Sequence, residues 1–172
     1  QADVTPDILC VGKALTGGTM SFAATIATDG IFDGFLSDDP SHALMHGPTF
    51  MANPLACAAA GASLDLFETE PRLARAVQME QELSELLAPC IDLPGVVDVR
   101  TKGAVGVVQV EQLHDVERLR RRCVDHGIWL RPFSDMIYMT PPLTMTPAQL
   151  RSLCEATVQV VREWSTWHRD RS

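Results

Sequence analysis

Apolar and polar positions alternate in short runs at the start of this chain and in helical stripes further on. Ile8-Leu9-Cys10-Val11 are four consecutive apolar residues ending at Gly12. A short unbroken run of this kind predicts a strand buried on both faces, as in a parallel sheet. Residues 20–28 are apolar with Ser and Thr interspersed and predict a second strand. Residues 29–46 carry no sustained period and read as loop, with a short helix over 31–36. Asn53-Pro54 then marks a helix start, since Asn is a favoured cap and Pro is tolerated at the first helical position. That helix is Ala-rich and should run to about Phe67. Pro71 opens another, with Leu73, Val77, Leu83, Leu86 and Leu87 as its apolar stripe.

The pattern changes after Pro94-Gly95. Segments 96–100 and 105–110 are β-rich and flank Thr101-Lys102-Gly103, which predicts a hairpin. Val116, Leu119, Cys123 and Val124 share one face of a helix that stops at Gly127. Segments 128–133 and 136–140 read as two more strands about Ser134-Asp135. Thr146-Pro147-Ala148-Gln149 matches a capping box. The helix behind it turns Leu150, Leu153, Val158, Val161 and Trp164 inward and ends in a polar tail. Residues 95–172 are therefore expected to form a compact α+β unit, and 1–50 the last strands of a larger α/β sheet.

Composition narrows the function classes. With 172 residues, 46% hydrophobic and 21% charged, the chain is globular rather than disordered. A net charge of -8 argues against a general nucleic-acid binder, which needs clustered Lys and Arg. No apolar run approaches the roughly 20 residues of a membrane helix, and residues 1–20 lack the pattern of a signal peptide. Cys10, Cys57, Cys90, Cys123 and Cys154 are odd in number and widely spaced, so no metal site is expected. They read as reduced core thiols of a cytoplasmic protein. Lysine is scarce. Lys13 and Lys102 are the only two, so any lysine-based amine chemistry has two candidates.

Three local constellations carry possible chemistry. Lys13 leaves an apolar strand and is followed by Gly17-Gly18. It is either a solvated surface charge or an amine nucleophile made reactive by partial desolvation. A phosphate-binding P-loop is excluded, because there the glycines precede the lysine. Met45-His46-Gly47-Pro48-Thr49-Phe50 is either an ordinary loop before a helix or a turn offering the Thr49 N–H and hydroxyl to an anion. His46 reads as a hydrogen-bonded loop residue. Arg131, in Trp129-Leu130-Arg131-Pro132-Phe133, needs an anion if buried: an internal carboxylate or a substrate's. Tyr138, the sole tyrosine, sits one hairpin away, where it is either a core residue or a wall of the same pocket. Arg118 and Arg120 to Arg122 read as a solvated helix face.

Together these strings resemble the class III pyridoxal-phosphate (PLP)-dependent aminotransferases. Asp7-Ile8-Leu9-Cys10-Val11-Gly12-Lys13-Ala14-Leu15-Thr16-Gly17-Gly18 is similar to the family's lysine segment. His46-Gly47-Pro48-Thr49-Phe50 with Asn53-Pro54-Leu55-Ala56-Cys57 is similar to its downstream phosphate loop. Lys-Ala-Leu-Thr-Gly-Gly, His-Gly-Pro-Thr-Phe, and Arg131-Pro132-Phe133 with Ile137-Tyr138 and Pro141-Pro142 most resemble one subfamily of biotin synthesis. It moves an amino group from S-adenosylmethionine to 8-amino-7-oxononanoate. Another class III enzyme acting on an ω-amine, or a non-catalytic module with the small-domain fold, are the alternatives.

The resemblance implies an α/β fold, the C-terminal portion of a fold type I PLP-dependent transferase. Residues 1–70 would be the C-terminal part of the large PLP-binding domain, 71–94 a connecting helix and 95–172 the small α+β domain. Lys13 would be catalytic and hold the cofactor. Pro48 and Thr49 would touch the cofactor phosphate of the partner subunit across a homodimer interface. Gly47 would lie beside the substrate, Arg131 would bind the keto-acid carboxylate, and Tyr138 would help admit S-adenosylmethionine. Leu143 departs from the pattern, since an aromatic usually follows the two prolines. The family's upstream groups, an acidic residue at the pyridine nitrogen among them, do not occur before Lys13 in this chain. The expectation is therefore a C-terminal part of a longer enzyme, inactive by itself.

Overall fold

The structure, a computed structural model, describes residues 4–169. The chain divides into two compact units, Gln1–Glu70 and Pro71–Ser172.

In the first unit, β1 (Ile8–Val11) pairs antiparallel with β2 (Ala24–Ala27), Ile8 opposite Ala27 and Val11 opposite Ala24. The expected parallel, doubly covered strand is not found. Between the two strands the chain makes one short 3-10 turn, Lys13–Thr16, and comes straight back. A parallel neighbour would need a longer crossover, usually helical. Ile8, Leu9 and Ile26 are 53%, 44% and 55% exposed, so neither face is buried. The second strand is also shorter than 20–28, and α1 (Asp29–Asp33) begins two residues before the expected helix.

α2 (Pro54–Thr69) starts where the sequence puts it. Asn53 Oδ1 accepts hydrogen bonds from the N–H groups of Leu55 (2.9 Å) and Ala56 (3.4 Å), satisfying two of the orphan donors of the first turn. Its small residues allow the Lys13–Thr16 turn to lie against it, and Ser63 Oγ donates to the Ala14 carbonyl at 3.4 Å.

In the second unit, α3 (Arg72–Leu87) packs against β3 (Val96–Lys102), β4 (Val105–Val110) and α5 (Pro147–Arg169). β5 (Met136–Met139) completes an antiparallel sheet of order β3-β4-β5, with Val108 opposite both Val99 and Ile137. α4 (Val116–Asp125) packs on α5. Met79, Leu83 and Leu87 of α3 meet Val108, Ile137, Leu119, Leu150, Val161 and Trp164 in one core. The buried stripe of α3 is thus 79-83-87; Leu73 and Val77 face outward, as does Val124 of α4. Segment 128–133 is not a strand. It makes one bridge, Phe133 to Met136, because Pro132 has no N–H to give a ladder. The capping box forms as expected: Gln149 N donates to Thr146 Oγ1 (3.3 Å) and Thr146 N to Gln149 Oε1 (3.0 Å). The polar tail at 170–172 lies outside the described residues.

Cys90, Cys123 and Cys154 are buried, whereas Cys10 and Cys57 are exposed, unlike the core placement expected for all five. Burial pushes the Cys90 thiol up to about 12 and the Cys154 thiol to about 11, which keeps both protonated at neutral pH. Among the described residues no helix is long and apolar enough to cross a membrane.

Candidate active site

Lys13 stands immediately after β1, at the first position of the 3-10 turn, with φ 50. Left-handed backbone at a residue with a side chain costs free energy and persists only where surrounding structure imposes it. That structure is visible. Leu15 N donates to the Gly12 carbonyl (3.2 Å) and Gly17 N, itself at φ 61, to that of Ala14 (2.9 Å). The buried Thr16 donates from Oγ1 to the Met20 carbonyl at 2.6 Å, and Thr19 Oγ1 closes on the Thr16 carbonyl at 2.8 Å. The turn is fixed by its own bonds and holds the lysine clear of it.

Lys13 is exposed among the described residues. It borders an open cavity of ≈ 680 Å³ with Gly18, Met20, Ser21, Phe22 and Ala23. Gly18, at φ 83, would have no neighbour within 4 Å even with a Cβ, so backbone strain rather than crowding favours glycine there.

Gly47, Pro48 and Thr49 lie on an exposed loop of the first unit and are not among the residues lining the Lys13 cavity. Met51 N donates to the Pro48 carbonyl at 2.9 Å, closing a turn with Thr49 and Phe50 at its tip. The Thr49 N–H and hydroxyl have no hydrogen-bond partner among the described residues. His46 is exposed and likewise without a hydrogen bond, contrary to expectation.

Arg131 and Tyr138 come together. Both line a ≈ 460 Å³ cavity with Trp129, Met139, Pro141, Pro142, Met145 and Leu153 among its walls. Tyr138 stands on β5 opposite Val107, one position from the core-facing Ile137, so strand alternation places it on the other face of the sheet. Arg131 is exposed and has no acidic partner among the described residues. Leu143 is not part of this wall; it is partly buried against the core. Met145 and Leu153 were missed from the sequence. Leu153 reads there simply as a core position, and nothing local marks Met145.

The fold that carries Lys13, the Pro48–Met51 turn and the Arg131–Tyr138 cavity is one seen in solved aminotransferases. The structure of adenosylmethionine-8-amino-7-oxononanoate aminotransferase from Methanocaldococcus jannaschii superposes with a TM-score of 0.84 at 32% identity, over 92% of this chain and 39% of that one. An amine transaminase from an uncultivated Pseudomonas species, solved in its PLP-bound form, gives 0.83 at 30% identity, over 94% and 39%. The aminotransferase class-III family matches residues 1–161, and this chain belongs to that family. Adenosylmethionine-8-amino-7-oxononanoate aminotransferase of Corynebacterium glutamicum is 48% identical over 157 residues, 91% of this chain and 37% of its own length. The chain thus spans little more than a third of the curated relatives it matches.

Proposed function

We propose that the protein carrying these residues is a PLP-dependent transaminase of biotin synthesis. It would convert 8-amino-7-oxononanoate to 7,8-diaminononanoate with S-adenosylmethionine as amino donor, as a cytoplasmic homodimer. The observation that carries this reading is the Arg131 cavity: one guanidinium with no carboxylate partner among the described residues, beside a tyrosine, in walls otherwise largely apolar. A substrate with a carboxylate at the end of an aliphatic chain satisfies both parts of such a site. The names of the relatives agree with it.

The residues present fit the cofactor. An exposed primary amine on a fixed turn suits a carbonyl-bearing ring, and the open N–H and hydroxyl of Thr49 suit a phosphate. PLP, when bound, supplies an electron sink for the charge left at the substrate Cα. Lys13 Nζ would take the proton from the substrate Cα and deliver it to the cofactor's C4′. Pro48 shapes the turn and Thr49 donates to the phosphate of the partner subunit's cofactor. Gly47 leaves room for the substrate beside it. Arg131 binds the substrate carboxylate bidentately, and Tyr138 lends a hydroxyl to the donor. Residues 1–70 would belong to the large cofactor domain and 95–172 to the small one.

Borohydride reduction of the PLP-loaded enzyme followed by peptide mapping tests the assignment. The pyridoxyl group is expected on Lys13, and finding it on Lys102 would refute the role given to Lys13. S-adenosylmethionine should serve as donor where alanine or ornithine does not; the reverse preference would favour an ω-amine substrate.

A further inference from the structure

We propose that Arg75 is a positioning residue for the Arg131–Tyr138 cavity. It would hold the Pro142–Met145 turn in the shape that admits a carboxylate-bearing substrate. This inference rests on the reading of that cavity given above.

Arg75 lies on α3, far in sequence from the cavity, and does not line it. Its side chain is only 15% exposed. One arm of the guanidinium, Nη1, donates to Glu82 Oε1 at 3.0 Å, and Gln78 Nε2 shares that oxygen at 2.8 Å. The other arm, Nη2, donates to the backbone carbonyl of Met145 at 3.1 Å. Met145 N in turn donates to the Pro142 carbonyl at 2.9 Å. Pro141, Pro142 and Met145 are all walls of the cavity, and the turn leads into the Thr146 cap of α5.

The turn is therefore held at three points: its own closing bond, the α5 cap behind it, and the arginine from α3. Of these hydrogen bonds only the third comes from outside the local segment, where it adds direction to the packing of Leu143 and Met145 against the core. Without it, the Met145 carbonyl loses its hydrogen bond to α3, and core packing alone, which is not directional, sets the position of that wall. A shift of about 1 Å in a binding wall is enough to cost substantial affinity. The fork geometry of Arg is what allows one side chain to serve a carboxylate and a carbonyl together. A lysine offers a single ammonium and would keep the ion pair with Glu82 at the expense of the carbonyl.

The test uses the full-length, PLP-loaded enzyme and three variants: Arg75→Lys, the double Arg75→Met/Glu82→Met, and Arg131→Gln as reference. For Arg75→Lys we expect a thermal midpoint close to that of the parent, KM for the carboxylate substrate raised about fivefold or more, and kcat within about twofold. The double variant leaves no carboxylate unpaired and should show the same split. An unchanged KM in both, with Arg131→Gln raising it, overturns the role of Arg75 alone. A fall in thermal midpoint with no change in KM makes Arg75 merely structural and overturns it as well. An unchanged KM in Arg131→Gln overturns the reading of the cavity, and this inference with it.

Discussion

Glu163 shows how strongly one side chain depends on residues distant in sequence. Its Oε2 accepts from Arg122 Nε at 2.6 Å and its Oε1 from Arg122 Nη2 at 2.9 Å, with His126 Nε2 3.0 Å from Oε1. The bidentate arginine, aided by the histidine, holds the carboxyl down to about 2 from an ordinary 4.5. A carboxyl lowered on folding stabilises the native state fully above its unfolded value, and that contribution is lost as pH falls from about 4.5 towards 2. Glu163→Gln should cost about 1 kcal/mol at pH 7, allowing for solvent screening, and should flatten the decline in stability between those pH values. Urea unfolding at pH 7, 4.5 and 3 measures both; an unaltered acid slope would refute it. None of this is visible along the chain. Arg118 and Arg122 sit in a basic run that reads as a solvated face, yet Arg118 stacks on Trp167 at 3.8 Å and Arg122 pairs 41 residues away. Lys13 and Arg131 stand out because their immediate neighbours are incongruous with a charge, whereas Arg75 and Glu163 have meaning only through partners that folding brings up.

At the scale of elements, the same division separates caps from packing. Asn53 and the Thr146–Gln149 box are readable because a cap is a bond between residues two or three apart. The stripe of α3 falls elsewhere than expected: at about 100° per residue Leu73 and Val77 project from the face opposite Met79, Leu83 and Leu87, and they are exposed. Segment 128–133 is apolar enough for a strand, and one proline decides against it. Gly106 is a further instance. In sequence it merely weakens a strand; in the structure it faces α3, and a Cβ there would lie 2.8 Å from Leu87 Cδ1 and 3.4 Å from Met139 Cγ. Gly106→Ala is therefore expected to destabilise by about 1–3 kcal/mol through overpacking. Trimming the opposing side chain should offset part of that, so Gly106→Ala combined with Leu87→Val should cost less than the two single changes added together. Additive losses in thermal or urea unfolding would mean that the two positions do not meet.

For the molecule as a whole, the decisive asymmetry is where the core lies. Among the described residues the one extended hydrophobic cluster lies within Pro71–Ser172, where three helices close on a three-stranded sheet. Among the described residues of Gln1–Glu70 those buried are Thr16, Ala56 and Ala60, while Ile8, Phe32, Leu36, Phe50 and Leu55 are all more than half exposed. Ordering a residue costs about 1–2 kcal/mol of backbone entropy, and burial of large apolar side chains is what offsets it. Two alanines and a threonine bury too little surface for seventy residues. The second unit has the means to fold by itself, and the first does not. Expressed separately, residues 71–172 should give a single cooperative thermal transition with native near-ultraviolet dichroism. Residues 1–70 should show none, and should bind a hydrophobic dye strongly through the exposed aromatic and aliphatic side chains. A cooperative melt of 1–70 alone would mean that its apolar residues find one another in a way this structure does not contain. A featureless melt of 71–172 would mean that its core, though continuous, needs the first seventy residues to close.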